Sequence, residues 1–199
     1  MTDLRPDLAV IADRVEPDVR VLDIGCGDGA LMEALRSKGC DVRGIEIDPG
    51  CVERCVGRGL SVVQGDADRD LADYPDGGFD YAVLSQTLQT TARPDRMLEQ
   101  LLRVSRRAFV SFPNFAHWRT RAALMFGGRM PVTSALPVSW YETPNIHHVT
   151  IKDFRELSRE KGARIEREWF FARDRAIGRT AANARAEFAV FELGGDRCG

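Results

Sequence analysis

Lysine is nearly missing from this chain: of its 28 basic residues only Lys38, Lys152 and Lys161 are lysines. With 30 acidic residues the formal charge is −2, and both signs are spread along the 199 positions. This balance gives no electrostatic footprint for nucleic acid or an anionic membrane, and the arginine excess reads as compositional bias rather than phosphate recognition. Long apolar runs are missing too. The first twenty residues lack an apolar stretch behind a basic start, and no run approaches membrane length, so a soluble, cytoplasmic protein is expected. Cysteine is sparse and odd in number: Cys26, Cys40, Cys51, Cys55 and Cys198. The three histidines, His117, His147 and His148, lie far from them, which leaves no metal-ligand spacing; reduced packing thiols and no metal are expected. Internal repeats and low-complexity tracts are also absent. At 44% hydrophobic composition, one domain over residues 1–199 is expected to bury a single core.

What is present is an alternation of strand and helix patterns. Leu8, Ile11, Ala12 and Val15 form a helical stripe ahead of a first strand, Arg20 to Ile24. Ala30, Leu31, Ala34 and Leu35 repeat at helical spacing until Gly39. Further strands are predicted at Val42 to Ile47, Leu60 to Val63, Phe79 to Ser85 and Ala108 to Phe112. Helices are predicted from Pro49 to about Arg58 and from Pro94, with Met97, Leu98, Leu101, Leu102 and Val104 on one face. From Pro113 to Thr150 the pattern breaks, apart from a short helix at Trp118 to Phe126. A helix from about Lys152 to Lys161 and strands at about Ile165 to Phe171 and Glu187 to Leu193 follow, the strands joined by an arginine-rich connection without a helix. This order predicts an α/β fold: a doubly wound, mostly parallel sheet whose last strand is antiparallel, with an irregular insertion at about 113–150.

The first strand runs into VLDIGCGDG, Val21 to Gly29. A glycine-rich turn there lies at the carboxyl edge of the sheet, where ligands bind, and Gly25, Gly27 and Gly29 let the backbone turn sharply and approach a ligand closely. GCGDGA also fits loosely onto a dinucleotide fingerprint, but Asp23 and Asp28 would repel a pyrophosphate. They would attract a ligand carrying a sulfonium and an ammonium. Glu46 ends the second strand, where a carboxylate can accept ribose hydroxyls, and Asp66 follows the third, placed to accept from an adenine amine. Acids after strands one, two and three with alternating glycines describe an S-adenosylmethionine (or S-adenosylhomocysteine) pocket.

These motifs, VLDIGCGDG from Val21, GIEID from Gly44 and the pair Gly65-Asp66, resemble in order and spacing those of class I S-adenosylmethionine-dependent methyltransferases, whose fold is Rossmann-like. The resemblance implies that Asp23 and the loop Gly25, Cys26, Gly27 and Gly29 meet the methionine part, Glu46 and the adjoining Ile47 the ribose side, and Asp66 and Ala67 the adenine region. The second half carries a narrower one. FDYAVLSQTLQ from Phe79, RPDR from Arg93, SFPNFAHW from Ser111, GGRMPVTSALP from Gly127, WYETPNIH from Trp140 and the pair Asp153-Phe154 resemble the methionine biosynthesis protein MetW family from about Arg5 to Leu193. His148 stands where that family has leucine, and Gly194 to Gly199 is unmatched. The resemblance implies a place in methionine biosynthesis beside a homoserine O-acyltransferase.

Catalytic residues are not evident. The fourth strand ends in SQTLQ rather than the Asn/Asp-Pro-Pro-aromatic tetrad of enzymes that methylate amino groups of bases or glutamine. Gln86 can orient a substrate but cannot take its proton. His117 and His147 are candidate bases, with His148, Tyr141 and Glu142 nearby, but hydrogen bonding to loop backbone is the favoured role for the histidines. The 113–150 segment is a lid, a partner interface or packing over the sheet's end. Trp118, Met125, Phe126, Met130, Trp140 and Tyr141, with Arg119, Arg121 and Arg129, are residue types that anchor interfaces, while Phe126 and Trp140 also suit a core. Two functions follow as expectations. The first is an S-adenosylmethionine-binding accessory partner of the acyltransferase. The alternative is a methyltransferase acting on a small carboxylate-bearing metabolite held by Arg119 or Arg129.

Overall fold

The computed structural model describes residues 4–133 and 136–195. One sheet of eight strands runs β1 (Arg20–Ile24), β2 (Asp41–Glu46), β3 (Ser61–Gln64), β4 (Phe79–Ser85), β5 (Ser105–Pro113), β6 (Ala163–Ala172), β7 (Arg175–Ile177) and β8 (Phe188–Gly195) along the chain. In space the order is β3-β2-β1-β4-β5-β8-β6-β7. The first five strands are parallel, and β8 runs antiparallel to both β5 and β6. The strand order reverses between β1 and β4, which opens a crevice at their carboxyl ends.

The helices are α1 (Pro6–Arg14), α2 (Ala30–Arg36), α3 (Pro49–Gly57), α4 (Ala67–Asp70), α5 (Pro94–Val104), α6 (Trp118–Gly127), α7 (Ile151–Glu160) and α8 (Ala182–Arg185). Proline opens α1, α3 and α5, where its missing N–H would have had no partner. The Asp48 side chain accepts the Cys51 N–H at the start of α3, and Thr150 accepts the Asp153 N–H at the start of α7.

Alternation along the central strands divides two cores. Leu22, Ile24, Ala82 and Leu84 face the one built with α5 and α7; Val21, Tyr81, Val83 and Phe109 face the one built with α1 and α2. Met97, Leu98, Leu101 and Val104 of α5 are buried, and burying each such side chain is worth about 1–3 kcal/mol of transfer free energy as an upper bound.

The structure differs from the sequence-based expectation in three places. The connection between the closing strands, expected to lack a helix, contains the short helix α8 as well as an extra strand. Ala172 pairs with Arg175 across a two-residue turn, and β7 folds back on β6, with Arg173 at φ +54°. Glycine or asparagine usually marks such a turn; here Arg173 and Asp174 occupy it, and the Arg173 N–H donates to Glu187 Oε2 at 3.1 Å. The β5 strand begins at Ser105 rather than Ala108, because Arg107 can lie on the sheet with its guanidinium 3.1 Å from buried Glu192. Phe126 and Trp140 do not fill the core: they are 85% and 71% exposed. Cys198 lies outside the described residues; Cys26, Cys40, Cys51 and Cys55 are free thiols.

Candidate functional site

The loop after β1 turns on three left-handed residues, Gly25, Gly27 and Gly29, at φ +70°, +57° and +81°. The Gly25 N–H donates to the Ile45 carbonyl at 2.8 Å, which seats the loop against the end of β2. Their space requirements differ. A Cβ on Gly25 would stand 2.6 Å from Thr87 Oγ1, and one on Gly29 would stand 2.4 Å from Leu60 Cδ1 and 2.9 Å from Cys55 Sγ. At Gly27 nothing lies within 4 Å. Gly25 therefore admits the loop after β4, Gly29 admits the packing of α2 on α3 and β3, and Gly27 alone borders open space. The Cys26 thiol is buried in the core behind the loop, so only its backbone is on the loop's outer side.

Glu46 stitches this loop to the neighbouring strand. Its Oε2 accepts the Gly27 N–H at 2.8 Å, while Oε1 accepts the Ile47 and Asp48 N–H groups at 2.8 and 2.9 Å. A carboxylate offers about four lone-pair sites, so roughly one remains for another donor. Asp23 is buried beneath the loop, where burial first and the charge of Glu46 second push its carboxyl up to about 7, with Arg5 pulling the other way. Asp66 accepts the Asp68 N–H at 3.0 Å and caps α4, its own N–H held by Asp70 at 2.8 Å. Asp68 in turn accepts the Ala92 N–H at 2.8 Å, tying α4 to the loop after β4.

These elements enclose a cleft of ≈ 500 Å³ at the switch point. Gly25, Ile45, Glu46 and Ile47 line it, as do Gly65, Asp66, Ala67 and Asp68 and, after β4, Thr87, Thr90, Thr91 and Ala92, together with Pro144 and Ile146. Of the residues expected from sequence, Gly25, Glu46, Ile47, Asp66 and Ala67 line the cleft. Asp23, Cys26, Gly27 and Gly29 do not; they shape the loop behind it. Sequence reasoning missed the three threonines and the Pro144–Ile146 strap. The run QTLQTTA, dense in hydroxyls just after β4, is the signal that could have found the threonines. A larger cleft of ≈ 610 Å³ lies on α7 and β6–β7, but its Arg155 and Arg179 are already paired with Glu168 at 2.6 and 3.2 Å.

The candidate bases are elsewhere. His117 is buried in a small cavity with Asn114, Arg119, Thr120 and Glu187, and burial lowers its pKa while Glu187 opposes that. The His147 N–H donates to the Gln89 carbonyl at 3.0 Å, and its buried Nε2 has no partner. The ring of His148 rests 4.4 Å from Phe115. None of the three lines the cleft, and neither do Arg119, which stacks over Trp118, or exposed Arg129. Gln86 follows β4 at φ +53°, its N–H held by the Ser111 carbonyl at 3.0 Å and its carbonyl accepting from Gln89 at 2.6 Å. The ends of β4 and β5 are sealed by α1: buried Asp7 accepts from Ser85 and Ser111 hydroxyls at 2.8 and 3.0 Å and from Arg5 at 3.2 Å. The titratable groups on the cleft wall are thus the carboxylates Glu46, Asp66 and Asp68, already engaged by backbone donors. Such a cleft can hold and orient a ligand; it offers little for deprotonating one. Among the described residues no group of three or more His, Cys, Asp or Glu side chains could hold a metal ion, and no helix is long and apolar enough to cross a membrane.

The family described as "Methionine biosynthesis protein MetW" matches residues 5–193. The bifunctional methionine biosynthesis protein MetXA/MetW of Rhodopirellula baltica is 32% identical over 84% of this chain. The chain spans 29% of that relative's length and less than half of several other curated relatives it matches. Among solved structures, an S-adenosylmethionine dependent methyltransferase from Mesorhizobium loti superposes with a TM-score of 0.71 at 19% identity, covering 94% of this chain and 95% of that one. The magnesium protoporphyrin IX methyltransferase of Synechocystis, solved with bound S-adenosylhomocysteine, superposes at 0.67 with 18% identity over 96% and 80% of the two chains. These likenesses establish the class I methyltransferase fold.

Proposed function

This chain belongs to the methionine biosynthesis protein MetW family, and on that premise we propose that it binds S-adenosylmethionine in the switch-point cleft and acts as a regulatory partner of a homoserine O-acyltransferase. The observation that carries the first half is the wall of the cleft: Glu46 at the end of β2, Asp66 after β3 and the glycine loop after β1 converge on one space. Glu46 has a lone pair left for a ribose hydroxyl, Asp66 has an oxygen beyond the one that caps α4, and Ile47 offers an exposed apolar face to a purine. Asp23 supplies negative potential beneath the loop once ionised. The bound cofactor is a donor of a sulfonium methyl group.

Support for the second half comes from what the cleft lacks and from the relatives. No histidine lines it, so the wall favours holding the cofactor over assisting transfer of its methyl group. The relative named MetXA/MetW joins the matching family to a second component in one chain. The alternative, methyl transfer to a small carboxylate held by Arg119 or Arg129, is weakened because neither arginine reaches the cleft wall.

Calorimetric titration with S-adenosylmethionine tests the pocket: Glu46→Ala and Asp66→Ala should each weaken binding, and unchanged affinities would remove the assignment. Formation of demethylated cofactor with a broad panel of carboxylate metabolites would favour the alternative.

A further inference from the structure

The stretch from β5 to α7 is chemically unlike the rest of the surface. Between Pro113 and Tyr141 there is no Asp or Glu, while Arg119, Arg121 and Arg129 are present. Surface helices of globular proteins normally turn an apolar stripe inward. In α6 only Thr120 is buried, and Met125 and Phe126 are 74% and 85% exposed. Farther along, Trp140 and Tyr141 are each 71% exposed and meet edge to face. Exposed aromatics and methionine among arginines, without carboxylates, have the composition of an interface core rather than of free surface.

The same stretch reaches the cleft. Thr133 and Leu136 pack beside Arg119 and Thr120 at the start of α6, so the chain folds back over that helix before turning to the sheet. At its far end the Ile146 and His147 N–H groups both donate to the Gln89 carbonyl, at 2.9 and 3.0 Å, and Pro144 and Ile146 line the same cleft as Ile47 and Asp66. Tyr141 is therefore only three residues, and Trp140 four, from Pro144 on the cleft wall.

We propose that the acid-free apolar face of α6 and the Trp140–Tyr141 pair docks a complementary apolar face rimmed with carboxylates on the homoserine O-acyltransferase, and that the Pro144–Ile146 wall couples this docking to occupancy of the cleft. The proposal rests on the functional reading above and names the surface and the means of regulation. Charge disfavours a second copy as the occupant: an isologous pair through this face would set Arg119, Arg121 and Arg129 against their own copies, with Glu142, already bonded to Ser139, the one acid beside Tyr141. Coupling follows from geometry, since a ligand that fixes Pro144 and Ile146 also fixes the chain leading back to Tyr141, and the effect must be reciprocal.

The test uses the full chain, the acyltransferase of the same organism and S-adenosylhomocysteine as probe. Met125→Asp and Phe126→Asp change side chains that pack on little, so each should bind S-adenosylhomocysteine in isolation like the parent while weakening the complex by roughly tenfold or more. In the parent, the probe should shift the complex Kd by roughly fivefold or more, and the acyltransferase should shift the probe's Kd by the same factor. A parent complex that both variants form equally well would place the docking face elsewhere and leave the functional reading standing. No parent complex at all would overturn that reading itself. Equal complex affinity with and without probe would remove the coupling. Self-association of the isolated chain that is abolished by Phe126→Asp would make a second copy the occupant. A variant that also loses the probe in isolation would show that α6 supports the cleft rather than a docking face.

Discussion

Glu46 Oε2 receives the Gly27 N–H at 2.8 Å, so the carboxylate expected to meet a ligand also holds the loop that shapes the ligand's space. Positioning and recognition are thereby joined in one side chain. Glu46→Ala leaves three backbone N–H groups unpaired, each costing about 1–3 kcal/mol where water cannot reach it. The expected outcome is a lower melting temperature together with a loss of S-adenosylmethionine affinity of roughly tenfold or more, by one lost charge-assisted bond. Glu46→Gln, which keeps an acceptor for the loop, should recover most of the melting temperature and little of the affinity. Thermal unfolding and calorimetry on the two variants check this.

Asp23 makes binding and stability depend on pH in opposite senses. Its folded pKa of about 7 lies above the ordinary 3.8, so between these values the folded state holds a proton that the unfolded state releases. Its contribution to stability is full below about pH 4 and is lost as pH rises through 7. Asp23→Asn should therefore be more stable than the parent at pH 8, by up to about 4 kcal/mol, with the gain vanishing toward pH 4. Binding of the cationic cofactor, which favours the ionised form, should weaken in the parent as pH falls below 7, by up to about tenfold per unit. A flat affinity profile in the parent between pH 5 and 8 would contradict the placement of Asp23 beneath the cofactor.

The loop glycines should separate stability from binding. Gly29→Ala meets Leu60 and Cys55 at its left-handed φ and should destabilise by about 2–4 kcal/mol. Gly27→Ala carries only the backbone penalty of about 1–2 kcal/mol, since nothing lies within 4 Å and Gly27 is off the cleft wall. A Gly27→Ala chain should therefore keep most of its S-adenosylmethionine affinity, and a loss beyond about tenfold would place the ligand against Gly27.

The seal between α1 and the sheet is a further test. Asp7→Ala removes the acceptor shared by the Ser85 and Ser111 hydroxyls, leaving them only each other at 3.2 Å, and should cost about 1–3 kcal/mol in urea unfolding. A loss under 0.5 kcal/mol, the scale of a neutral surface change, would mean that this cluster does not hold α1 to the strand ends.

Most of this architecture was legible because its signals are local. Leu22 and Ile24 alternate with Val21 and Asp23 across two cores, Pro94 opens α5, and the glycines and acids fall at fixed places after strands. What was not legible depends on groups distant in sequence. Asp7 reads as an ordinary acid in a helix until Ser85 and Ser111 arrive beside it. The β6–β7 turn carries Arg173 and Asp174 instead of glycine, and its backbone donor is met by Glu187 from the bend before β8. Phe126 and Trp140 could not be assigned by composition, because exposed and buried aromatics share the same letters. The role of Pro144 and Ile146 depends on the path of residues 128–147, which no periodicity fixes.

The central claim is that occupancy of the cleft is communicated to a homoserine O-acyltransferase. The most direct measurement mixes the two proteins, separates them by size-exclusion chromatography and assays acyl transfer with and without S-adenosylmethionine. A co-eluting complex whose acyl-transfer rate changes with the cofactor, and does not change when the chain carries Glu46→Ala, is the predicted result. Two separate peaks and a rate indifferent to both chain and cofactor would contradict it.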